Sequence, residues 1–188
     1  MGRLKDHLCY LAGPMECVAD NGEDWRNWIT PQLHKMGIGV FNPCDKPIDY
    51  AREDQEAKDK FNNLKATGDW DAAQAYCKQI VGVDARMVHL STFIILNLDK
   101  DVHMCGTYVE FTWAVQQRKP TLVHVKQGKK HTPGFVIGMI PSELIFEDWD
   151  SLVKYIHHID SADTVKDLKR WTFFNMDKVY GRTNLCCG

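Results

Sequence analysis

The sequence predicts a single α/β domain built on a parallel sheet, and three features indicate it. Short apolar runs rich in β-branched residues recur without polar alternation, and Phe93–Leu98 is the clearest of them. The segments between these runs carry apolar side chains at helical spacing. A chain of 188 residues with 44% hydrophobic and 26% charged content is typical of one globular domain that can bury a core. Strands that alternate with helices in this way form a parallel sheet covered by helices.

The first two strands are predicted near the start of the chain. Leu8–Ala12 is an apolar run that ends at Gly13-Pro14, which indicates a buried strand followed by a tight turn. The segment 21–36 then has the apolar spacing of a helix, and Gly37 and Gly39 end it. We expect this helix to bury its large side chains, which are Trp25, Trp28, Ile29 and Leu33. Strand two is predicted at Gly39–Pro43.

A polar and charged insertion follows, from about residue 48 to 79. Its helix-forming residues and few core residues predict two exposed helices with Gly68 between them. It is either a solvated insertion, or a lid over a site or a contact with another subunit. Ile80–Leu90 then has one apolar face and predicts a separate short helix that carries Asp84 and leads into the central strand.

The central strand, Phe93–Leu98, opens a βαβ unit. Thr107 and Glu110 have the spacing of a capping box, so we expect a helix that begins there and ends near Arg118. Lys119-Pro120 stops the helix and leads into the strand Thr121–Val125. Residues 128–138 then read as a loop, 143–146 as an edge strand, and 149–159 and 164–176 as helices.

Composition and cysteine usage exclude several classes of protein. A net charge of −2 and a pI near 6.4 argue against a nucleic-acid-binding protein, which normally presents a basic face. The cysteines and histidines lack zinc-site spacing, so we expect no metal. No apolar run approaches the length of a membrane span. Seven cysteines, an odd number, and no apolar signal segment predict a reducing, cytoplasmic setting.

Polar residues at strand ends predict where a ligand would bind. In parallel sheets ligands bind outside the carboxyl ends of the strands. Asn42 and Asp45 follow strand two, and Asn97 and Asp99 end the central strand. These residues either contact the ligand or are ordinary turn formers.

Several short motifs, in their order along the chain, resemble the nucleoside 2-deoxyribosyltransferase family. They are Tyr10-Leu11-Ala12-Gly13-Pro14-Met15, Val40-Phe41-Asn42-Pro43, Asp84, and Gly106-Thr107-x-x-Glu110 followed by Lys119-Pro120. The resemblance spans roughly residues 8–125. It implies a flavodoxin-like doubly wound sheet and no metal or organic cofactor. It also implies a nucleoside or nucleotide substrate with a free base, and a homo-oligomer in which a neighbouring subunit helps to complete the site.

The resemblance implies roles for three side chains. Glu110 matches the nucleophile that holds the sugar as a covalent ester, a role that suits a carboxylate because the transition state resembles an oxocarbenium ion. We expect the first turn of a helix to keep Glu110 ionised at neutral pH. Asp84 matches the acid/base that protonates the leaving base, and Tyr10 matches a tyrosine that orients the nucleophile. The remaining predicted substrate-binding residues are Gly13, Pro14, Met15, Asn42, Asp45, Asn97, Asp99, Met104, Cys105, Gly106 and Thr107.

The chain also departs from the family pattern. Met104 stands six residues before Glu110, where many relatives have an aspartate, and Met15 replaces an aromatic side chain that some relatives stack on the base. The residues expected to carry the chemistry match, whereas those expected to recognise the base differ.

Each functional assignment has a structural alternative. Glu110 would otherwise be a helix-cap partner, Asp84 a surface helix residue, Tyr10 a core aromatic and Cys105 a packed thiol. The leading function is transfer of a 2-deoxyribosyl group between bases. The alternatives are hydrolysis of the N-glycosidic bond of a nucleoside 5′-monophosphate, and a non-catalytic nucleotide-binding module.

Overall fold

The computed structural model describes residues 2–46, 48, 51, 53–161 and 171. The strands are β1 Leu8–Ala12, β2 Gly39–Phe41, β3 Phe93–Leu98, β4 Thr121–Val125 and β5 Ile145–Phe146. The helices are α1 Glu23–Lys35, α2 Gln55–Thr67, α3 Trp70–Leu90, α4 Cys105–Gln116, α5 Gly134–Met139 and α6 Trp149–Ser161. The helix predicted at 164–176 falls outside the described residues.

Within the described residues the sheet has five parallel strands in the order β2-β1-β3-β4-β5, which confirms the predicted fold class. This is the strand order of flavodoxin-like doubly wound folds, in which the order reverses beside β1. Strands β1, β3 and β4 are buried almost along their whole length, as their continuous apolar runs predict.

Helices cover both faces of the sheet. Helix α4 packs on β1, β3 and β4 beside α3, and the side chain of Tyr10 in β1 reaches α4. Phe93 in β3 instead contacts Trp171, which in turn contacts Tyr155 of α6. Because Tyr10 pairs with Ile94, Phe93 lies on the opposite face from Tyr10. Helices α3 and α4 therefore cover one face, and α6 covers the other.

The insertion consists of α2 and the first half of α3. Gly68 ends α2 in the left-handed conformation, with φ of 75°, as its position between the two predicted helices requires. The predicted break before Ile80 is wrong, because α3 is one helix of 21 residues. No proline interrupts it, and the single Gly82 inside it costs too little to end a helix that packs on the sheet.

Helix α4 begins earlier than predicted. Its first residue is Cys105, its N-cap is Met104, and no side chain caps it. The predicted capping box between Thr107 and Glu110 is therefore wrong. Glu110 lies in the second turn of the helix, where the end of the helix dipole acts only weakly.

Two further predictions differ from the structure. Residues 134–139 form the short helix α5, which overlaps the segment 128–138 that was predicted as a loop. Trp28 was predicted to be buried, but it is 44% exposed and only tilts against Trp149. Among the described residues, no helix has both the length and the apolar content to cross a bilayer.

Candidate active site

A cavity of about 310 Å³ opens at the carboxyl end of β1. Its walls are the turn Gly13–Met15, the first turn of α4, and the facing sides of α2 and α3. Asp84 of α3 and Glu110 of α4 both line it. Although they are far apart in sequence, the two carboxyl groups therefore face the same cavity.

Tyr10 fixes the position of the Glu110 carboxyl group. The phenolic oxygen of Tyr10 donates a hydrogen bond of 2.6 Å to Oε1 of Glu110. Tyr10 is fully buried, and burial raises the pKa of its hydroxyl well above the usual range, so the phenol keeps the proton that it donates. One carboxylate oxygen of Glu110 is thus fixed by the sheet, and the carboxyl group faces the cavity.

The protonation state of Glu110 differs from the prediction. Burial raises its pKa to about 8, the hydrogen bond from Tyr10 lowers it, and the charge of Asp84 raises it. The expectation that a helix terminus keeps Glu110 ionised is wrong, because Glu110 lies beyond the first turn and in an enclosed site. Burial thus favours the protonated form of Glu110, and the hydrogen bond from Tyr10 favours the ionised form.

Asp84 belongs to a charged cluster that the sequence did not reveal. Lys46 lies 2.8 Å from Oδ1 of Asp84 and also forms an ion pair with Glu53. The Lys46 side chain is completely buried, and Glu53 lines the cavity together with Asp84. Burial raises the pKa of Asp84, and the nearby charge of Lys46 lowers it by a smaller amount.

A buried arginine fixes the turn that forms one wall of the cavity. Arg26 of α1 is fully buried and donates hydrogen bonds to the carbonyl oxygens of Leu11, Gly13 and Gly22 at 2.7–3.3 Å. Its guanidinium also lies over the ring of Trp25. A side chain of α1 therefore positions the Gly13–Met15 turn.

The insertion forms an aromatic wall. Phe61 of α2 and Tyr76 of α3 stack with ring centroids 6.1 Å apart, and both line the cavity. Lys58 of α2 donates a hydrogen bond of 2.7 Å to the carbonyl oxygen of Met15, which ties the helix to the turn. Of the two interpretations of the insertion, this geometry matches a cover over the site better than a solvated appendage.

The structure brings together some of the predicted site residues and not others. Those that line the cavity with Asp84 and Glu110 are Gly13, Pro14, Met15, Met104, Cys105, Gly106 and Thr107. Asn42, Asp45, Asn97 and Asp99 do not line it. Asn97 lies three residues beyond Ile94, the partner of Tyr10, and so projects from the opposite face, where it contacts His124. Asp99 accepts hydrogen bonds from Lys126 and Gln127, and Asn42 from the backbone of Cys44, as turn residues do.

Of three charged residues at or near the site, the sequence marks Arg26 but not Lys46 or Glu53. Arg26 is spaced three and seven residues from Ile29 and Leu33, so the helical period puts it on the buried stripe of α1. No such signal marks Lys46 or Glu53, which lie in a polar stretch where charged residues are normally solvated.

The arrangement offers two different carboxyl groups to one ligand. Glu110 is held by a phenol, and Asp84 is held by an ammonium group. Unequal environments of this kind separate a nucleophile from an acid/base. Among the described residues, no cluster of His, Cys, Asp and Glu side chains could hold a metal ion.

Comparison with known proteins finds similarity in structure but not in sequence. No protein-family model matches the chain, and no curated protein matches it. Among solved structures, a 2-deoxyribosyltransferase from the psychrotolerant bacterium Bacillus psychrosaccharolyticus is similar at a TM-score of 0.56 and 15% identity, over 79% of this chain and 91% of that chain.

Two other structures are more distant. A 2-deoxyribosyltransferase from Leishmania mexicana has a TM-score of 0.48 and 16% identity, over 81% of this chain and 98% of that chain. A CMP N-glycosidase from Clostridium botulinum has a TM-score of 0.45 and 14% identity, over 80% and 98%. At these identities the likeness concerns the fold: the chain has the α/β fold of the nucleoside 2-deoxyribosyltransferases, as its motifs predicted.

Proposed function

We propose that the protein cleaves the N-glycosidic bond of a nucleoside or nucleotide and transfers the pentosyl group, with Glu110 as nucleophile and Asp84 as acid/base. The observation that carries this proposal is the shared cavity of Asp84 and Glu110, in which Tyr10 holds one oxygen of Glu110. The fold, which is that of a 2-deoxyribosyltransferase, supports the same chemistry.

In the first half-reaction the ionised Glu110 attacks the anomeric carbon as the bond to the base nitrogen breaks. The bonding electron pair leaves with the base, and Asp84 gives its proton to a ring nitrogen of the base. Tyr10 keeps its hydrogen bond to Oε1 of Glu110 and so directs the other oxygen at the sugar. The products are a glycosyl ester on Glu110, a neutral base and an ionised Asp84.

In the second half-reaction the ester is opened by an acceptor. A nitrogen of a second base attacks the anomeric carbon, Asp84 takes the proton from that base, and the Glu110 carboxylate is released. We propose a base as the acceptor and a 2-deoxyribosyl group as the cargo. If water is the acceptor instead, the same residues hydrolyse the substrate.

The cavity also suits the substrate in size and lining. Its volume of about 310 Å³ is at the lower end of the range for small-molecule sites. Phe61 and Tyr76 offer aromatic surface to a flat base, whereas the carboxyl groups cluster where the sugar would lie. We further propose a homo-oligomer in the cytoplasm.

The test combines product analysis with intact-protein mass spectrometry. Incubating the protein with a 2′-deoxynucleoside and a different free base should give a new nucleoside, and the mass of the protein should rise by that of one pentosyl group. Glu110→Ala should abolish both signals, whereas Glu147→Ala, an exposed control, should retain them. If the folded parent cleaves neither nucleosides nor 5′-monophosphates, the proposed function is wrong, and ligand binding without turnover would support the binding-module alternative.

A further inference from the structure

The buried cluster of Lys46, Glu53 and Asp84 poses a chemical problem for the proposed acid/base. An ammonium group 2.8 Å from a carboxylate stabilises its ionised form. A general acid must instead hold a proton until the base leaves. Lys46 therefore opposes the burial that raises the pKa of Asp84.

Glu53 changes the charge that Asp84 experiences. Lys46 contacts Glu53 as well as Asp84, so a single positive charge is divided between two carboxylates. Lys46 is fully buried and Glu53 is largely enclosed, so water screens these interactions only weakly. When both carboxylates are ionised the cluster carries a net negative charge, and a proton on one of them relieves it.

We propose that Lys46 and Glu53 are positioning residues that set the proton affinity of Asp84: Lys46 stabilises the carboxylate formed when the base leaves, and Glu53 offsets Lys46 enough for Asp84 to hold its proton beforehand. This inference rests on the proposed function. It adds two residues that act through Asp84, and both lie in the connection between β2 and α2.

The cluster also joins the insertion to the acid/base. Lys46 follows β2, Glu53 immediately precedes the cap of α2, and Asp84 lies on α3. The backbone carbonyl of Glu53 accepts a hydrogen bond of 2.8 Å from the side chain of Asn21, which holds this part of the chain against the loop that leads into α1. Glu53 is thus fixed through its backbone as well as through its side chain.

Other charged and titratable groups around Asp84 affect its pKa or are affected by its charge. Arg26 from α1 lowers the pKa of Asp84, and the charge of Asp84 in turn raises the pKa of both Tyr10 and Glu110. The groups that lower the pKa of Asp84 are Lys46 and Arg26, and those whose pKa is raised by the charge of Asp84 are Glu53, Tyr10 and Glu110. Of these, only Lys46 makes an ion pair with Asp84 among the described residues.

The test uses two substitutions that should move the titration of Asp84 in opposite directions. Lys46→Met removes the cation and keeps the aliphatic stem, so the pKa of Asp84 should rise. Glu53→Gln keeps the hydrogen-bonding shape but leaves Lys46 to Asp84 alone, so the pKa of Asp84 should fall. Carbon-13 NMR of aspartate-labelled protein, with the Asp84 signal assigned by Asp84→Asn, measures both shifts without any need for turnover.

Kinetics provide the second readout. On a 2′-deoxynucleoside that the parent cleaves, the alkaline limb of kcat/KM should move up in Lys46→Met and down in Glu53→Gln, and kcat should fall about tenfold or more in each. On 7-methyl-2′-deoxyguanosine, whose base leaves without a proton, kcat/KM reports the first half-reaction alone, and in both variants it should stay within about threefold of the parent value.

Lys119→Met is the matched control. Lys119 is a half-buried lysine that also bonds to α3, but its ammonium group donates to the carbonyl oxygens of Val88 and His89 at 2.6 Å, at the C-terminal end of the helix and beyond the part that lines the cavity. This variant should leave the Asp84 titration and the pH profile unchanged. Lys46→Arg, which keeps the charge, should restore the parent profile if Lys46→Met folds poorly.

The outcomes separate this inference from the proposed function. Shifts of Asp84 in the same direction in both variants, or no shift in folded Glu53→Gln, would overturn the inference even if Glu110 forms its ester. If the parent forms no ester and cleaves no substrate but the NMR shifts occur in opposite directions, the electrostatic inference stands and the proposed function is wrong.

Discussion

The phenolic oxygen of Tyr10 lies 2.6 Å from Oε1 of Glu110, so a buried strand and helix α4 meet at one carboxylate. This bond favours the ionised form of Glu110 and opposes the burial that raises its pKa to about 8. The proposed nucleophile thus depends on one tyrosine for much of its reactivity at neutral pH.

Tyr10→Phe should therefore raise the pKa of Glu110 further. Because the reaction requires the ionised form, the acid limb of the rate profile should move to higher pH, and kcat/KM at pH 7 should fall by about 10- to 100-fold. Tyr108→Phe, which alters a partly exposed tyrosine on helix α4, is the control and should leave the profile in place. A profile that shifts to lower pH in Tyr10→Phe would contradict this role.

The raised pKa of Glu110 also predicts how stability depends on pH. In the native state burial raises the pKa of Glu110 to about 8, whereas a glutamate in the unfolded chain has a pKa near 4.5. Between these values the native state binds more protons than the unfolded state, so the free energy of unfolding falls as pH rises.

Glu110→Gln should remove that dependence. Urea unfolding at pH 6 and pH 8.5 should show the parent losing on the order of 1 kcal/mol more stability over this range than the variant, after allowance for solvent that reaches the cavity. Glu147→Gln, at an exposed site, should follow the parent. Equal slopes for the parent and Glu110→Gln would show that the native glutamate is already ionised at pH 6.

The sequence predicted the parts of this structure that depend on local pattern. The five strands, the break at Gly68 and the shared cavity of Asp84 and Glu110 follow from apolar runs, turn chemistry and family motifs. The start of α4 did not follow, because the Thr107–Glu110 spacing fits a capping box whether or not the helix begins there.

The remaining errors have a tertiary origin. Asn97 ends a strand at the correct edge of the sheet, but strand parity turns its side chain towards His124 on the opposite face. Lys46 and Glu53 lie in a hydrophilic stretch, and the ion pairs of buried Lys46 with Glu53 and with the distant Asp84 form only in the folded chain. Burial of a charge depends on which partners meet it, and spacing along the chain does not reveal this.

The aromatic wall predicts an effect on binding rather than on chemistry. Phe61→Leu keeps the apolar volume but removes the flat face, so KM for a nucleoside should rise about tenfold while kcat changes less than threefold. Trp70→Leu, which replaces an aromatic that is 65% exposed at the start of α3, should have no effect on KM. A fall in kcat at unchanged KM would place Phe61 at the reacting atoms instead.

Arg26 predicts a large effect on stability. Arg26→Met would remove the side-chain donor to the carbonyl oxygens of Leu11, Gly13 and Gly22 at a fully buried position. The free energy of unfolding should fall by about 3 kcal/mol, measured by urea denaturation. Arg86→Met, at an exposed position on α3, should change it by less than about 0.5 kcal/mol.

Gly13 offers a test of how tightly the turn beside the cavity is packed. A Cβ at this position would lie 2.8 Å from Cζ2 of Trp25 and 3.4 Å from Cβ of Asn97. Trp25 has little room to yield, because it stacks on Trp149 at 5.3 Å and lies beneath the guanidinium of Arg26. The turn must therefore move, and Pro14 and Met15 must move with it in the cavity wall.

Gly13→Ala should accordingly lower both stability and activity. We expect a loss of about 1–3 kcal/mol in the free energy of unfolding from overpacking, together with a fall in kcat/KM. Gly82→Ala is the matched control, since nothing lies within 4 Å of its Cβ position in the middle of α3, and it should stabilise the protein by about 0.5–1 kcal/mol. If Gly13→Ala is as stable as the parent, the indole of Trp25 moves aside to make room for the methyl group. The turn is then not tightly packed against the core.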